Sequence, residues 1–279
     1  MRSGFNASRR NRNIGTAKQG HGQDNRLRVP SPRNVGGPFW EQIRNYKLVR
    51  RRCGDREFPI FVEETLADCL HACTVGDVVE ILNLIPVEHY RKLAAIVLRQ
   101  PKRKEEVLQP VWGRMAYWSN VGRPQEGSVA GPVVFLDAGD PFRSWVRGKP
   151  GGPADAAELE RLAADGHVIS SFGSRLRIQS SLESRRATQL YRTLPHEIGH
   201  LVDWVTKVPE EDETKGISFT RHWELDDAFW SRPSQEREAF AHRYADEFRA
   251  RLATSGRIPF SRIESWSEDG LRSSDFVFS

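Results

Sequence analysis

The sequence predicts an α+β protein: helices at the start, mostly strands in the middle, then helices with a short sheet behind them. Three observations carry this. Apolar residues fall at helical spacing early in the chain. "KLAAIVLRQ", "PVWGRMAYWS" and "GPVVFLDAG" are short β-like runs. Phe240, Tyr244, Phe248 and Leu252 then repeat every four residues in "SRPSQEREAFAHRYADEFRARL", which marks an amphipathic helix.

The 279 residues suffice for one sizeable domain or two small ones, and eight Trp and fourteen Phe supply a core. The net charge of +5 belongs to the first 37 residues, where Asp24 is the only acid among eight Arg and Lys. This stretch lacks apolar periodicity and is expected to be a disordered basic arm over 1–37. Its contact with nucleic acid or another acidic surface is expected to be weak.

Folding is expected to begin near "GGPFWEQIRNYKLV", where Trp40, Ile43 and Tyr46 fit a helix. "VEETLADCLHACTVGDVVEILNLIP" predicts one or two helices ending at Pro86, with Cys69 and Cys73 as buried helical cysteines. Residues 38–90 therefore read as a helical N-terminal segment packed on the main domain. After the three strands, "RGKPGGPADA" is a loop and "DAAELERLAADG" a helix. "HVISSFGSRLRIQ" is a hairpin around Phe172 and Gly173.

Three cysteines do not make a disulfide framework. No apolar run reaches the roughly eighteen residues of a membrane span, and the N-terminus lacks the apolar centre of a signal peptide. The cytoplasm is the default compartment, with delivery into another cell by a non-classical route left open.

The chemistry concentrates in "TLPHEIGHLVDW", residues 193–204. His196 and His200 lie four apart, so on a helix they share one face and can reach one Zn²⁺. Glu197 is turned by about 100° from His196, toward the position where water would sit, and can act as general base. Gly199 removes a side chain there and lets another element pack close. Thr193 is the expected N-cap, Pro195 falls in the first turn, and "KVP" stops the helix. A helix beginning near Glu183 would instead be kinked at Pro195.

A catalytic zinc needs a third protein ligand. Glu238, Ala241, His242 and Ala245 form one stripe of the downstream helix, whose small alanines allow tight contact with the histidine helix. Glu236 faces elsewhere. His222 offers a three-histidine alternative like that of SprT-type proteases, which act on proteins bound to DNA. Trp223 and Trp230 are expected in the core, with a wall for an apolar substrate side chain as the alternative.

"HEIGHLVDW" followed by "EAFAHRYA" resembles the gluzincin metallopeptidases, and the E-x-F-A piece is closest to compact lethal-factor-like peptidase domains. The resemblance is carried by residues 190–250. It implies His196, His200 and Glu238 as zinc ligands, Glu197 as the base and Asp203 as support for a ligand histidine. It also implies that 91–279 is a zincin-like domain, with a small twisted sheet, antiparallel at its edge, whose edge strand lines the cleft. Where lethal-factor-like domains carry an oxyanion-binding tyrosine seven residues before the glutamate, this chain has Ser231. His222, His242 and Tyr244 are the candidate replacements. The expected function is a zinc-dependent endopeptidase acting on polypeptides. The alternatives are a zinc-binding interaction protein with little turnover and a SprT-like protease.

Overall fold

The structure is a computed structural model that describes residues 43–102, 105, 111–210 and 217–277. The expected basic arm of 1–37, and Trp40, lie outside the described residues. Within 37–279 the chain is α+β. Its strands are β1 (Tyr46–Cys53), β2 (Arg56–Glu63), β3 (Ala95–Arg99), β4 (Gly113–Val121), β5 (Val129–Asp137), β6 (Ser144–Gly148), β7 (Val168–Phe172) and β8 (Arg175–Gln179). Its helices are α1 (Val75–Leu84), α2 (Val87–Tyr90), α3 (Pro153–Ala164), α4 (Leu182–Thr188), α5 (Leu194–Lys207), α6 (Phe219–Ser231) and α7 (Ser234–Thr254). Among the described residues, no helix is long and apolar enough to cross a membrane.

The main sheet has the order β1-β2-β3-β5-β4. Its inner pairs β2–β3 and β3–β5 are parallel, and β1 and β4 pair antiparallel at the two edges. The apolar residues separate by strand alternation. Ile60, Ile96, Leu98, Val134 and Leu136 face one core with the helices, where they meet Ile198, Leu201 and Phe248. Phe61, Val97, Val133 and Phe135 fill a second cluster on the opposite face. This explains the unbroken apolar run of β3, buried along its whole length. A second, antiparallel sheet, β6-β8-β7, packs Ile178 against Leu159 and Leu162 of α3.

The expectation of a helical segment over 38–90 is corrected. Residues 46–63 form the β1–β2 hairpin, with Cys53 paired to Arg56 across Gly54 and Asp55. Gly54 sits at φ 61, the left-handed conformation a two-residue hairpin loop requires. Cys69 and Cys73 are buried, as expected, but not helical. Their segment is held by long-range bonds instead: Leu70 bridges Gly139, and the His71 N–H donates to the Asp275 carbonyl. Helix α1 starts only at a capping box between Thr74 and Asp77 and does end before Pro86.

Asp77 also fixes α1 to α4. Its buried carboxylate takes both Arg186 Nη2 at 2.8 Å and Nε at 2.9 Å. Removing the guanidinium would strand that charge, at a cost of about 3–5 kcal/mol. Through this pair the N-terminal segment grips the element that leads into the histidine helix.

Candidate metal centre

Helix α4 opens on a capping box between Ser181 and Ser184 and runs without interruption into α5 through one wide π turn, Gln189–Thr193. Thr193 is therefore not the N-cap of the histidine helix. It has helical backbone angles, and its hydroxyl donates to the Thr188 carbonyl at 3.0 Å. The wide turn has a local cause. Pro195 has no N–H to give the Tyr191 carbonyl, and its ring would crowd that oxygen in a regular helix. The longer start near residue 183 is the one the chain adopts.

Ile198 and Leu201 are fully buried in the main core, with Val202 and Val205 packed at its margin. That stripe turns the opposite face of α5 toward α7. Gly199 is where the two helices meet: a Cβ there would lie 3.1 Å from the Cα of Ala241. Burial of Ala241, Ala245, Phe248 and Leu252 fixes the rotation of α7 and carries Glu238 to the histidines.

His196 Nε2 lies 3.3 Å from Glu238 Oε2, and His200 Nε2 lies 3.5 Å from Glu238 Oε1. The ligand atoms of His196, His200 and Glu238 all lie within 4.8 Å of one another, so this group can hold a metal ion. Two ligands of a tetrahedral Zn²⁺ stand about 3.4 Å apart, so both nitrogen–oxygen separations fit. Hydrogen bonds from His196 and then His200 hold the Glu238 carboxyl well below the usual carboxylate range. Its exposed side chain leaves one side of the group open to solvent.

Glu197 is buried, and burial pushes its carboxyl above the ordinary range. The charges of His196 and His200 and a backbone N–H of Met115 act against that shift. Met115 belongs to β4, so Glu197 rests against the edge strand of the main sheet. A carboxyl held above the ordinary range takes up a proton more readily than an exposed one.

Asp203 is held by basic side chains. It is fully buried, accepts from Arg232 Nη1 at 2.9 Å, and pairs with Lys207. Its bond to Arg232 joins the C-terminal half of α5 to the link between α6 and α7. The Nδ1 of His196 is buried without a hydrogen-bond partner, so Asp203 does not orient that ring. Among the expected oxyanion donors, only His242 adjoins the group, its ring 4.5 Å from that of His196. Tyr244 is turned behind Gly199, with its hydroxyl 2.9 Å from His89 Nδ1. His222 lies on α6, which the sequence reading missed, and bonds the Pro209 carbonyl at 2.8 Å. It is not part of the three-residue group.

Tyr117 is a residue that sequence reasoning overlooked. It stands on β4, where Tyr117 and Trp118 together face the single Pro132 in a bulge. Its hydroxyl donates to the His200 carbonyl at 3.4 Å, and its ring meets Trp204 and Trp230. Trp223 and Trp230 are exposed rather than in the core, which corrects that expectation. The available signal was the aromatic pair in "MAYWS" on a run that alternates aromatic and polar residues. This chain matches no protein-family model, no curated protein and no solved structure.

Proposed function

We propose that this protein is a zinc-dependent endopeptidase of zincin type, cutting polypeptides at the His196, His200 and Glu238 group. One observation carries the reading: ligand atoms of His196, His200 and Glu238 come within 4.8 Å of one another beside the buried carboxyl of Glu197, which is bonded to β4. The donor set of two imidazoles and one carboxylate suits zinc. A bound zinc ion would supply Lewis-acid chemistry, polarising a carbonyl and making water acidic. Glu197 would take the proton of the attacking water and pass it to the leaving amine. The β4 edge would align an extended peptide alongside the base.

Metal analysis and cleavage of a peptide library by wild type, Glu197→Gln and His200→Ala test this. Zinc should be stoichiometric in wild type and in Glu197→Gln, with cleavage confined to wild type. A wild type without stoichiometric metal would overturn the reading.

A second reading keeps the metal but not the turnover: a zinc-binding protein that acts by interaction. It is favoured by Ser231 at the place of the expected tyrosine and by the unpartnered Nδ1 of His196. Stoichiometric zinc in a wild type that cuts no peptide would select it.

A further inference from the structure

We infer that Tyr117 is the hydroxyl donor that stabilises the oxyanion at this site. The inference rests on the metallopeptidase reading and adds the residue that reading lacks. In the attack, a water oxygen bonds the peptide carbonyl carbon, and the carbonyl π electrons move onto oxygen. Glu197 takes the water proton. The C–N bond then breaks, the oxyanion collapses to a carboxyl group, and the proton passes from Glu197 to the departing nitrogen. The negative oxygen needs a fixed donor during this step. Tyr117 keeps its proton throughout and supplies only a hydrogen bond.

Four features of the fold place it there. Met115, two residues earlier on β4, gives its N–H to Glu197, so the strand runs past the base. The bulge then opposes Tyr117 and Trp118 to Pro132 alone, and the pleat changes phase. Met115 packs toward the helices, while Val121, six residues later, lies in the cluster on the opposite face. Tyr117, two residues after Met115 and ahead of that change, shares its helix side by strand alternation, with its ring 5.8 Å from Trp204 and 4.8 Å from Trp230.

The third feature is Trp230. It directly precedes Ser231, so the Tyr117 ring rests on the helix end where the expected tyrosine is missing. The ring thus reaches that helix end from the sheet. The fourth is the hydroxyl's present bond. At 3.4 Å to the His200 carbonyl it is long for an O–H donor, and a charged acceptor would draw it away.

The test is Tyr117→Phe in the full zinc-loaded chain, which keeps the ring contacts, compared with wild type and His242→Gln. Three quantities are measured: zinc content, steady-state cleavage, and affinity for a phosphinic peptide whose tetrahedral anion mimics the oxyanion. Tyr117→Phe should retain zinc, lose about 100-fold or more in kcat with KM nearly unchanged, and lose phosphinate affinity by a similar factor. An unchanged kcat and phosphinate affinity in Tyr117→Phe overturns the assignment, as does a loss that follows His242→Gln instead. Loss of zinc in Tyr117→Phe would also overturn it, by making the residue structural. If wild type cuts nothing, the peptidase reading fails by itself. Phosphinate binding then decides for or against Tyr117, and no binding to wild type rejects both.

Discussion

Gly199 of α5 lies flat against α7: a Cβ at this position would stand 3.1 Å from the Ala241 Cα and 3.1 Å from the Tyr244 Cβ. The approach of Glu238 to the two histidines depends on this contact, since both ligand elements are rigid helices. Gly199→Ala asks the helices to part by a few tenths of an ångström, and gains about 1 kcal/mol of helix propensity. It should be near neutral. Gly199→Val overpacks the crossing at a cost of about 1–3 kcal/mol and should weaken zinc by at least about tenfold. Thermal melts with and without zinc, with competitive zinc titration, check this. Wild-type zinc affinity in Gly199→Val would refute the dependence.

What could be read in advance follows from where the information resides. The grouping of His196, His200 and Glu238 was legible because helical spacing fixes His196 against His200, and the apolar stripe of α7 fixes the face that carries Glu238. Strands β3 to β5 and the β7–β8 hairpin were legible because each is a β-branched or aromatic run between turn residues. The β1–β2 hairpin was missed although Gly54–Asp55 is a two-residue hairpin loop. Its flanks, "YKLVRRRC" and "REFPIFVE", carry charges and a proline that mask the alternation. The segment before α1 has a helical composition, but bonds to Gly139 and Asp275 keep it extended. Tyr117 was harder to read because its neighbours Trp204 and Trp230 come from distant helices, which strand alternation alone does not reveal.

The ligand set separates by substitution. Glu238→Ala should lower zinc affinity by at least about 100-fold, because two histidines alone leave the ion short of a charged ligand. Glu236→Ala and His222→Ala should keep stoichiometric zinc. Glu236 pairs instead with Arg232 at 3.3 Å, and His222 is engaged by the Pro209 carbonyl. Metal analysis after dialysis against a weak chelator distinguishes them. Loss of zinc in His222→Ala, with retention in Glu238→Ala, would establish the three-histidine alternative.

Acid should destabilise the fold through two histidines outside the metal centre. His71 bonds the Glu63 carbonyl, and His167 sits between the Thr188 and Ser184 hydroxyls. Burial pushes both imidazoles down to about 4. The unfolded chain protonates them near pH 6.5, so it binds protons that the folded chain refuses. Their contribution is therefore complete above about pH 6.5 and declines as the pH falls toward 4, by roughly 3 kcal/mol per histidine at pH 4. Urea midpoints from pH 8 to pH 4 should fall less steeply for His71→Gln and His167→Gln than for wild type. Parallel slopes in all three proteins would show that these groups do not drive the acid response.

Asp203 should act on the metal through Arg232 and not through a histidine. Its carboxylate is fully buried and joins α5 to Arg232, the residue that ends α6 two positions before α7 begins. Asp203→Asn and Arg232→Met should each weaken zinc by about tenfold, the scale of support lost behind a ligand. Each should also destabilise the fold by roughly 1–3 kcal/mol, since each leaves a buried charge-assisted bond unmade. The two effects on zinc should not add: with Arg232 replaced, Asp203→Asn has no further connection to loosen. A double-mutant cycle on zinc affinity measures this coupling. Additive losses would return Asp203 to the role of orienting a ligand histidine, because such a role survives the removal of Arg232.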